Sequence, residues 1–315
     1  MAVSFTFFKT SHFPICFSSL PSPLLKLSTT KISAFSSSSM DQHNQGRAKL
    51  MEYPFVSASH KALMVDLVST VENRLGSQLL PCTLPPDVQY CQNETGTARN
   101  SLHIRSGNQY SPVDFILGSW LHCKLPTGAE LNITNISAYL NLSTDAPNIT
   151  MDLIRSSPTS LVLILDLPPR KDPVFYPDYL ETFYEKSQLD SHRQMLQKLP
   201  EIQPYVSSSL YIRSLFSPTA ILIRAETEAD GGDRMEEIIK NHIGPVAKEV
   251  FGIWLDSCAC GGREVNAEEK GYLKKRDEIV KKKTIENDLG ISFPRLFGPE
   301  IADRLLGAIR NVYNI

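Results

Sequence analysis

Four apolar segments in close succession decide the fold: VDFILGSWLHCK (113–124), LNITNISAYLNL (131–142), ITMDLIRS (149–156) and SLVLILDL (160–167). Each is rich in Val, Ile, Leu and Thr, and short sequences containing Gly, Pro, Asn or Asp separate them, as is typical of strands and turns. Connections this short join antiparallel neighbours, because a parallel crossover needs a dozen or more residues. The segments therefore predict an antiparallel meander, and they disfavour a dinucleotide-binding fold built on parallel strands.

Further strands and several helices extend this pattern in both directions. Residues 102–106 and 220–225 are predicted to be strands, and residues 204–219 a loop. Helices are predicted over residues 57–76, 179–199, 233–255, 268–287 and 299–313, with an interruption near Gly244 and Pro245. A helix, a sheet and then several helices are typical of an α+β protein with helices on both faces of a central antiparallel sheet. No repeat or linker in the sequence demands a second domain.

The first 39 residues differ in composition from the rest. They contain no Asp, Glu or Arg, and Lys9, Lys26 and Lys31 lie among Ser, Thr, Phe and Leu. This hydroxylated, weakly basic composition is typical of an organelle transit peptide. We therefore expect residues 1–39 to be a chloroplast transit peptide and residues 40–315 to be a single domain with a formal net charge of −2 − 3 = −5. Secretory and mitochondrial targeting are the alternatives, although Lys9 and several prolines interrupt the apolar run that a secretory signal needs.

Composition and motifs exclude several classes of protein. The formal net charge of −2 argues against non-specific nucleic-acid binding, and no apolar run approaches the ~18 to 20 residues of a membrane span. The cysteines after the leader, at positions 82, 91, 123, 258 and 260, lack the spacing of a disulfide scaffold or an iron–sulfur ligand set, which favours a reducing compartment. Asn-x-Ser/Thr sequons leave a secreted glycoprotein as an alternative.

The sequence also lacks the motifs of the common bound redox cofactors. No glycine-rich phosphate loop follows a strand, and the histidines are scattered rather than paired at metal-ligand spacing. If the chain is a redox enzyme, we therefore expect its electrons to come from outside rather than from a bound nicotinamide.

Several stretches of the body resemble the red chlorophyll catabolite reductase family. They are MEYP (51–54), LMVDL (63–67), VENRL (71–75), LLPC (79–82), SLHIRSG (101–107), LVLILDLP (161–168) and FPR (293–295). The resemblance runs from residue 51 to the C-terminus. It implies an α/β/α sandwich related to the ferredoxin-dependent bilin reductases, a homodimer, and a location in the chloroplast stroma with the mitochondrion as a second location.

The resemblance also implies a reaction. Family members reduce a methine bridge of red chlorophyll catabolite, an open-chain tetrapyrrole, and so form the primary fluorescent catabolite. Ferredoxin delivers the electrons one at a time, no cofactor or metal is bound, and upstream enzymes of chlorophyll breakdown are further expected partners. The radical anion formed on the pigment must be protonated at a defined carbon, and a carboxyl can supply that proton when burial raises its pKa.

Six positions match residues with a role in this family. The resemblance implies that Asp152 and Asp288 are catalytic and bind the substrate. It implies that Tyr205, Val206 and Ser207 also bind the substrate. Phe216 is implied to decide which epimer forms. A member of the family has Glu at the position of Asp152, so in this chain the acid is set back by about one carbon.

The same residues have plainer interpretations when the sequence is taken alone. Asp152 could be a solvent-facing or edge-strand residue, and Asp288, which follows Lys281–Lys283, could belong to a solvated helix face. The segment after Pro204 could be a simple turn, and Phe216 an ordinary core residue. His103 and Arg105 could meet a substrate carboxylate, although a structural role is the more common one for such a pair.

A basic cluster near the C-terminus allows two interpretations. It consists of Lys274, Lys275, Arg276, Lys281, Lys282 and Lys283. Such a cluster could attract an acidic ferredoxin, or it could be a solvated helix face. The alternative to the enzyme is a plastid carrier that binds and sequesters tetrapyrroles without reducing them, and a carrier would not need Asp152 or Asp288.

Overall fold

The computed structural model describes residues 39–125, 127–228, 232–261, 263 and 265–315. The predicted transit peptide, residues 1–39, lies outside the described residues except for Ser39, where the first helix begins. Among the described residues, no helix is both long enough and apolar enough to cross a membrane.

A single antiparallel sheet forms the centre of the molecule. Within the described residues it has eight strands in the order β1-β2-β3-β4-β5-β6-β8-β7. The strands are β1 (Tyr90–Gln92), β2 (Ala98–Ser106), β3 (Val113–Lys124), β4 (Glu130–Leu140), β5 (Ile149–Ser157), β6 (Ser160–Asp166), β7 (Ile202–Pro204) and β8 (Ile221–Glu226). Every paired neighbour is antiparallel, so the predicted meander is confirmed.

Helices cover both faces of this sheet, which confirms the predicted α+β sandwich. They are α1 (Ser39–Glu52), α2 (Ala58–Leu75), α3 (Pro86–Gln89), α4 (Pro177–Leu180), α5 (Leu189–Leu196), α6 (Leu210–Arg213), α7 (Gly232–Ile238), α8 (Gly244–Trp254), α9 (Ala267–Thr284), α10 (Gly290–Phe297) and α11 (Pro299–Tyr313). One core joins α2, α7 and α8 to one face of the sheet. A second core joins α10 and α11 to the other face, which we call the C-terminal face.

The burial pattern follows from strand alternation. Successive side chains of a strand point to opposite faces, so a strand that is covered on both sides is apolar throughout. In β6, Leu161, Leu163 and Leu165 belong to the α2 side, whereas Val162 and Ile164 belong to the C-terminal face. The sheet is therefore the middle layer of three.

Several helices continue through π turns where the sequence predicts an end. The predicted interruption near Gly244 and Pro245 is a π turn rather than a break, because Ile239–Ile243 carries the chain from α7 into α8. The amide of Gly244 donates to the carbonyl of Ile239, and the proline, which lacks an amide hydrogen, occupies an early position of α8 where that hydrogen is not needed. In the same way the π turn Ile285–Leu289 joins α9 to α10, so this helical segment extends beyond its predicted end at residue 287.

Other boundaries differ from the sequence prediction. The predicted helix over residues 179–199 is broken, because Gln188 adopts a left-handed conformation with φ of 57° between the π turn Glu181–Glu185 and α5. The predicted loop over residues 204–219 contains the short helix α6. Helix α1 and strands β1 and β7 are absent from the sequence prediction. The helix predicted over residues 57–76 is confirmed, with Ser57 and Gly76 at its caps.

Candidate functional site

A row of buried polar side chains crosses the C-terminal face of the sheet. Alternation places Asn135 and Ser137 of β4 on this face, and the cross-strand register pairs them with Asp152 and Thr150 of β5. The Ser137 hydroxyl lies 3.0 Å from the Thr150 hydroxyl. Burying polar side chains in the middle of an apolar sheet costs free energy unless they are hydrogen-bonded. The hydrogen bonds along this row therefore restrict the positions of its side chains.

Asp152 is fully buried, as is Asn135 in the same row, with 0% of its surface exposed. Its strand lies between β4 and β6, so the edge-strand interpretation is wrong. The side-chain amide of Asn135 donates to Asp152 Oδ1 at 2.9 Å and also to the carbonyl oxygen of Met151 at 3.1 Å. The amide therefore fixes the position of the carboxyl at the centre of the sheet.

Asp288 lies on the helical layer that covers the same face. It belongs to the π turn Ile285–Leu289 and is 3% exposed, so the solvated-face interpretation is also wrong. A π turn inserts one extra residue into a helix, and such turns are frequent at functional sites. Here the turn buries a carboxyl five residues after the exposed Lys283.

An aromatic cluster of Phe115, Tyr139 and Tyr313 lies close enough to the two carboxyls for Asp152 to raise the pKa of Tyr139 and for Asp288 to raise the pKa of Tyr313. The ring of Phe115 stacks on Tyr139 with centroids 4.8 Å apart and on Tyr313 with centroids 5.0 Å apart. Burial raises the pKa of Tyr313 well above its usual value, and the charges of Tyr139 and Asp288 raise it further. Burial likewise raises the pKa of Tyr139, with Asp277 and Asp152 contributing. Both phenols therefore keep their protons at neutral pH.

A groove leads from solvent toward this cluster between the sheet and α9. It encloses about 610 Å³ of atom-free space, including its open side. Its lining includes Tyr139 and Thr150 from the sheet, Phe216 from the loop after α6, and Arg276, Val280 and Thr284 from α9.

The two carboxyls continue the two walls of this groove. Asp152 follows Thr150 by two residues, so it lies on the same face of β5. Asp288 follows Thr284 by one helical turn. Both residues lie outside the lining of the groove itself. A ligand in the groove would therefore meet Tyr139 of the aromatic cluster in its lining and have the two carboxyls beyond it.

Phe216 lies in the wall of the groove on a loop that Asp166 holds against the sheet. The Ser217 amide donates to Asp166 Oδ2 at 2.9 Å and the Ser217 hydroxyl donates to Asp166 Oδ1 at 2.5 Å. Burial raises the pKa of Asp166 to about 6, and the hydrogen bonds from Ser217 oppose that increase. The ordinary-core interpretation of Phe216 is incomplete, because its ring is only partly buried and borders the groove.

Tyr205, Val206 and Ser207 follow β7 and are not part of the groove's lining. The Tyr205 amide donates to the carbonyl of Leu222 at 2.9 Å, which extends the pairing with β8 by one residue. Burial raises the pKa of Tyr205, and the charge of Asp152 contributes to that increase, so the phenol lies near the carboxyl. Ser207 is buried, whereas Val206 is 65% exposed. The fold therefore brings Tyr205 close to Asp152.

The basic cluster divides between the interior and the surface. Lys281 is buried, pairs with Asp114 at 2.7 Å, and lies 5.2 Å from the ring centroid of Phe115. The exposed members Lys274, Lys282 and Lys283 form ion pairs within their own helical segment. Arg276 borders the groove.

His103 and Arg105 lie on the opposite face from Asp152. His103 Nε2 lies 3.2 Å from His43 Nδ1, and the guanidinium of Arg105 donates to the carbonyl oxygens of Leu79 and Leu80, both at 3.0 Å. Their structural interpretation is confirmed. Across the described residues, no group of three or more His, Cys, Asp or Glu side chains is arranged to hold a metal ion.

Asn135 and Tyr139 belong to the site although the sequence patterns did not predict them there. Both lie on β4, on the same face as Ser137, and Asn135 is the direct cross-strand partner of Asp152. The alternation of Asn135, Ser137 and Tyr139 along one predicted strand was the available signal.

Comparison with known proteins supports one family. The family model described as red chlorophyll catabolite reductase matches residues 59–311. The chain is 52% identical over 310 residues to the chloroplastic red chlorophyll catabolite reductase of Arabidopsis thaliana, covering 95% of this chain and 96% of the relative. It is 43% identical over 262 residues to the chloroplastic red chlorophyll catabolite reductase 1 of Oryza sativa subsp. japonica, covering 82% of this chain and 79% of the relative.

A solved structure shares the fold. The crystal structure of phytochromobilin synthase from tomato in complex with biliverdin aligns with a TM-score of 0.55 at 14% identity, covering 79% of this chain and 82% of that one. At this identity the likeness concerns the fold alone. Because a family model spans most of the chain and the relative from Arabidopsis thaliana matches over nearly its whole length, the chain belongs to the red chlorophyll catabolite reductase family.

Proposed function

We propose that this chain reduces red chlorophyll catabolite, an open-chain tetrapyrrole, to the primary fluorescent catabolite, with electrons delivered singly by ferredoxin. Family membership supports the reaction. The observation that carries the assignment to this site is the placement of two buried carboxyls, Asp152 and Asp288, beside one aromatic cluster at the inner end of an open groove.

The reaction adds two electrons and two protons to the pigment, and the protein's task is to direct the protons. Ferredoxin supplies each electron from outside, and the chain holds no redox group of its own in this proposal. Asp288 acts as a proton donor to the reduced pigment, and Asp152, held by Asn135, orients the pigment or supplies the second proton. Burial on a face lined by apolar side chains excludes water, which would otherwise protonate the radical at other carbons.

The remaining predicted residues shape the site. Tyr205, Val206 and Ser207 contact the pigment along the segment after β7, and Phe216 in the groove wall decides which face of the pigment receives the proton. The exposed lysines of α9, Lys274, Lys275, Lys282 and Lys283, attract the acidic ferredoxin.

The cellular setting forms part of the same proposal. Residues 1–39 direct the protein to the chloroplast stroma, with the mitochondrion as a second destination, and residues 40–315 act as one domain in a homodimer that meets the upstream enzymes of chlorophyll breakdown. Two relatives bear names that describe them as chloroplastic. A fluorescent fusion of the full chain would accumulate in plastids, and removal of residues 1–39 should abolish that accumulation.

An anaerobic turnover assay tests the function. The purified chain should convert red chlorophyll catabolite into a fluorescent product when reduced ferredoxin is present, and not with a pyridine nucleotide alone. Asp288→Asn should keep substrate affinity within about tenfold and lose ~10²-fold or more in rate, the usual scale for a general acid. Asp303→Asn, which removes an exposed carboxyl of α11, is the matched control.

The carrier alternative gives a different result in the same assay. A carrier would bind the pigment with wild-type affinity in both Asp288→Asn and Asp152→Asn, and the wild-type chain would form no fluorescent product. Equal rates for Asp288→Asn and the wild type would remove Asp288 from the mechanism.

A further inference from the structure

Arg276 stands out among the residues that line the groove because it is a cation. Helix α9 brings Arg276, Val280 and Thr284 to the same wall at intervals of four residues, which is the spacing of one helix face. The side chain is half-buried. The guanidinium lies near two phenols, since its charge lowers the pKa of both Tyr139 and Tyr211 against the effect of burial.

Arg276 takes part in none of the ion pairs formed within the described residues. The carboxylates nearest to it in sequence have other partners: Asp277 pairs with Arg170 at 2.6 Å, and Glu278 pairs with Lys274 at 4.0 Å. Asp114, which reaches this helix from the sheet, pairs with Lys281. A partly buried cation without a counter-ion is unfavourable, and a guanidinium presents a fork of donors that matches a carboxylate in a bidentate geometry.

We propose that Arg276 binds a carboxylate of the ligand, and that in the reaction proposed above this carboxylate is a propionate side chain of the tetrapyrrole. This inference deepens the proposed function and rests on it for the identity of the pigment. Asp288 follows Arg276 by twelve residues, or about 18 Å along the helical segment. Holding a propionate at one end of the groove therefore sets how far the conjugated system extends toward the acid at the other end.

Binding measurements with a paired ligand test the proposal without ferredoxin. The full chain and Arg276→Gln would be titrated with red chlorophyll catabolite and with its propionate methyl ester, following pigment absorbance. The variant should bind the free acid at least about tenfold more weakly than the wild type does, because it loses a charged hydrogen-bonded pair. It should bind the ester within about threefold of the wild type, and Arg276→Lys should recover part of the affinity for the acid.

Lys275→Gln is the matched control, because it removes one positive charge from the adjacent, exposed position of the same helix. It should leave the affinity for both ligands unchanged. Equal weakening of acid and ester in Arg276→Gln, or equal effects of Arg276→Gln and Lys275→Gln on the acid, would overturn the proposal. The proposal is also overturned if Arg276→Gln changes only the ferredoxin concentration needed for turnover. Arg276 would then belong to the surface on which ferredoxin docks.

The two proposals fail separately. If Arg276→Gln weakens binding of the acid but not of the ester, and the wild type forms no fluorescent product, the carboxylate site stands and the proposed reaction falls. If the wild type turns over the pigment and Arg276→Gln does not distinguish acid from ester, the reaction stands and the carboxylate site falls.

Discussion

The free energy of unfolding of Asp166→Asn, relative to that of the wild type, should increase from acid to neutral pH. The reason is that Asp166 is a buried carboxyl with an elevated pKa. The residue is 3% exposed, and burial raises its pKa from 3.8 to about 6. A group whose pKa is higher in the folded than in the unfolded state stabilises the fold most below the unfolded value. That contribution is lost as the pH increases through the folded value. Ionised Asp166 therefore lowers the free energy of unfolding above pH 6.

The size of the effect follows from these two pKa values. The increase of the pKa from 3.8 to about 6 lowers the free energy of unfolding by about 3 kcal/mol once Asp166 is ionised. About 2 kcal/mol of this loss occurs between pH 4.5 and pH 7.5. Asn carries no charge at any pH. Its oxygen can accept from the Ser217 amide and its amide can donate to the Ser217 hydroxyl, so the loop that carries Phe216 should stay in place.

Urea unfolding at a series of pH values measures this prediction, with the fluorescence of the buried Trp254 as the signal. The free energy of unfolding of Asp166→Asn minus that of the wild type should increase by about 2 kcal/mol from pH 4.5 to pH 7.5. Asp303→Asn controls for the loss of one negative charge at an exposed position. Parallel curves for Asp166→Asn and the wild type across this range would refute the reasoning.

Three further substitutions test other features of the fold by the same unfolding assay. Arg170→Ala should cost about 3 to 5 kcal/mol, because it leaves Asp277 buried without its partner, and replacing both residues should cost less than Arg170→Ala alone. Gly298→Ala should cost roughly 1 to 3 kcal/mol, because Gly298 has φ of 79° and ψ of 165° before α11. Gly307→Ala, within α11 and with open space around it, should be neutral or stabilising. Asn135→Ala should cost about 1 to 3 kcal/mol, because the carboxyl across the strand pair loses a buried donor. If the free energy of unfolding of any of these three destabilising variants decreases by less than ~0.5 kcal/mol, the structural role given to that residue is contradicted.

The sheet could be predicted from the sequence because its strands pair with their neighbours along the chain. Strand β3 has its predicted ends, Val113 and Lys124, since turn signals flank it and β-branched or aromatic residues fill it. The short strands β1 and β7 have only three residues each, which is too few for an alternating pattern to show.

The helical layer was harder to predict because tertiary packing overrides local signals. Gly244 and Pro245 normally indicate a helix end, yet the π turn before them supplies the hydrogen bond that lets the chain continue. Helix α1 is polar over most of its length, and contacts with distant residues support it: Arg47 pairs with Glu72, and the Trp120 indole donates to the carbonyl of Lys49.

The candidate site could be predicted only in part for the same reason. The alternation along β5 placed Asp152 with Thr150 on one face, and the structure bears this out. The burial of Asp288 has no local signal, because it follows a run of lysines and depends on the π turn to bring the carboxyl inward. Two of the ion pairs that leave Arg276 without a partner, Arg170 with Asp277 and Lys281 with Asp114, join residues more than a hundred positions apart, so no local sequence pattern could indicate them.

The three last helices, α9 to α11, cover the C-terminal face, and this order along the chain has a consequence for biosynthesis. The meander can pair strand by strand as it leaves the ribosome, but the polar row around Asp152 stays open to water until everything after residue 266 has emerged. A nascent or truncated polypeptide that lacks these helices would expose one apolar face of the sheet. Chaperones bind exposed apolar surfaces of this kind, and aggregation starts from them. Competence for catalysis is thus acquired at the last step of maturation, when the segment bearing Asp288 docks.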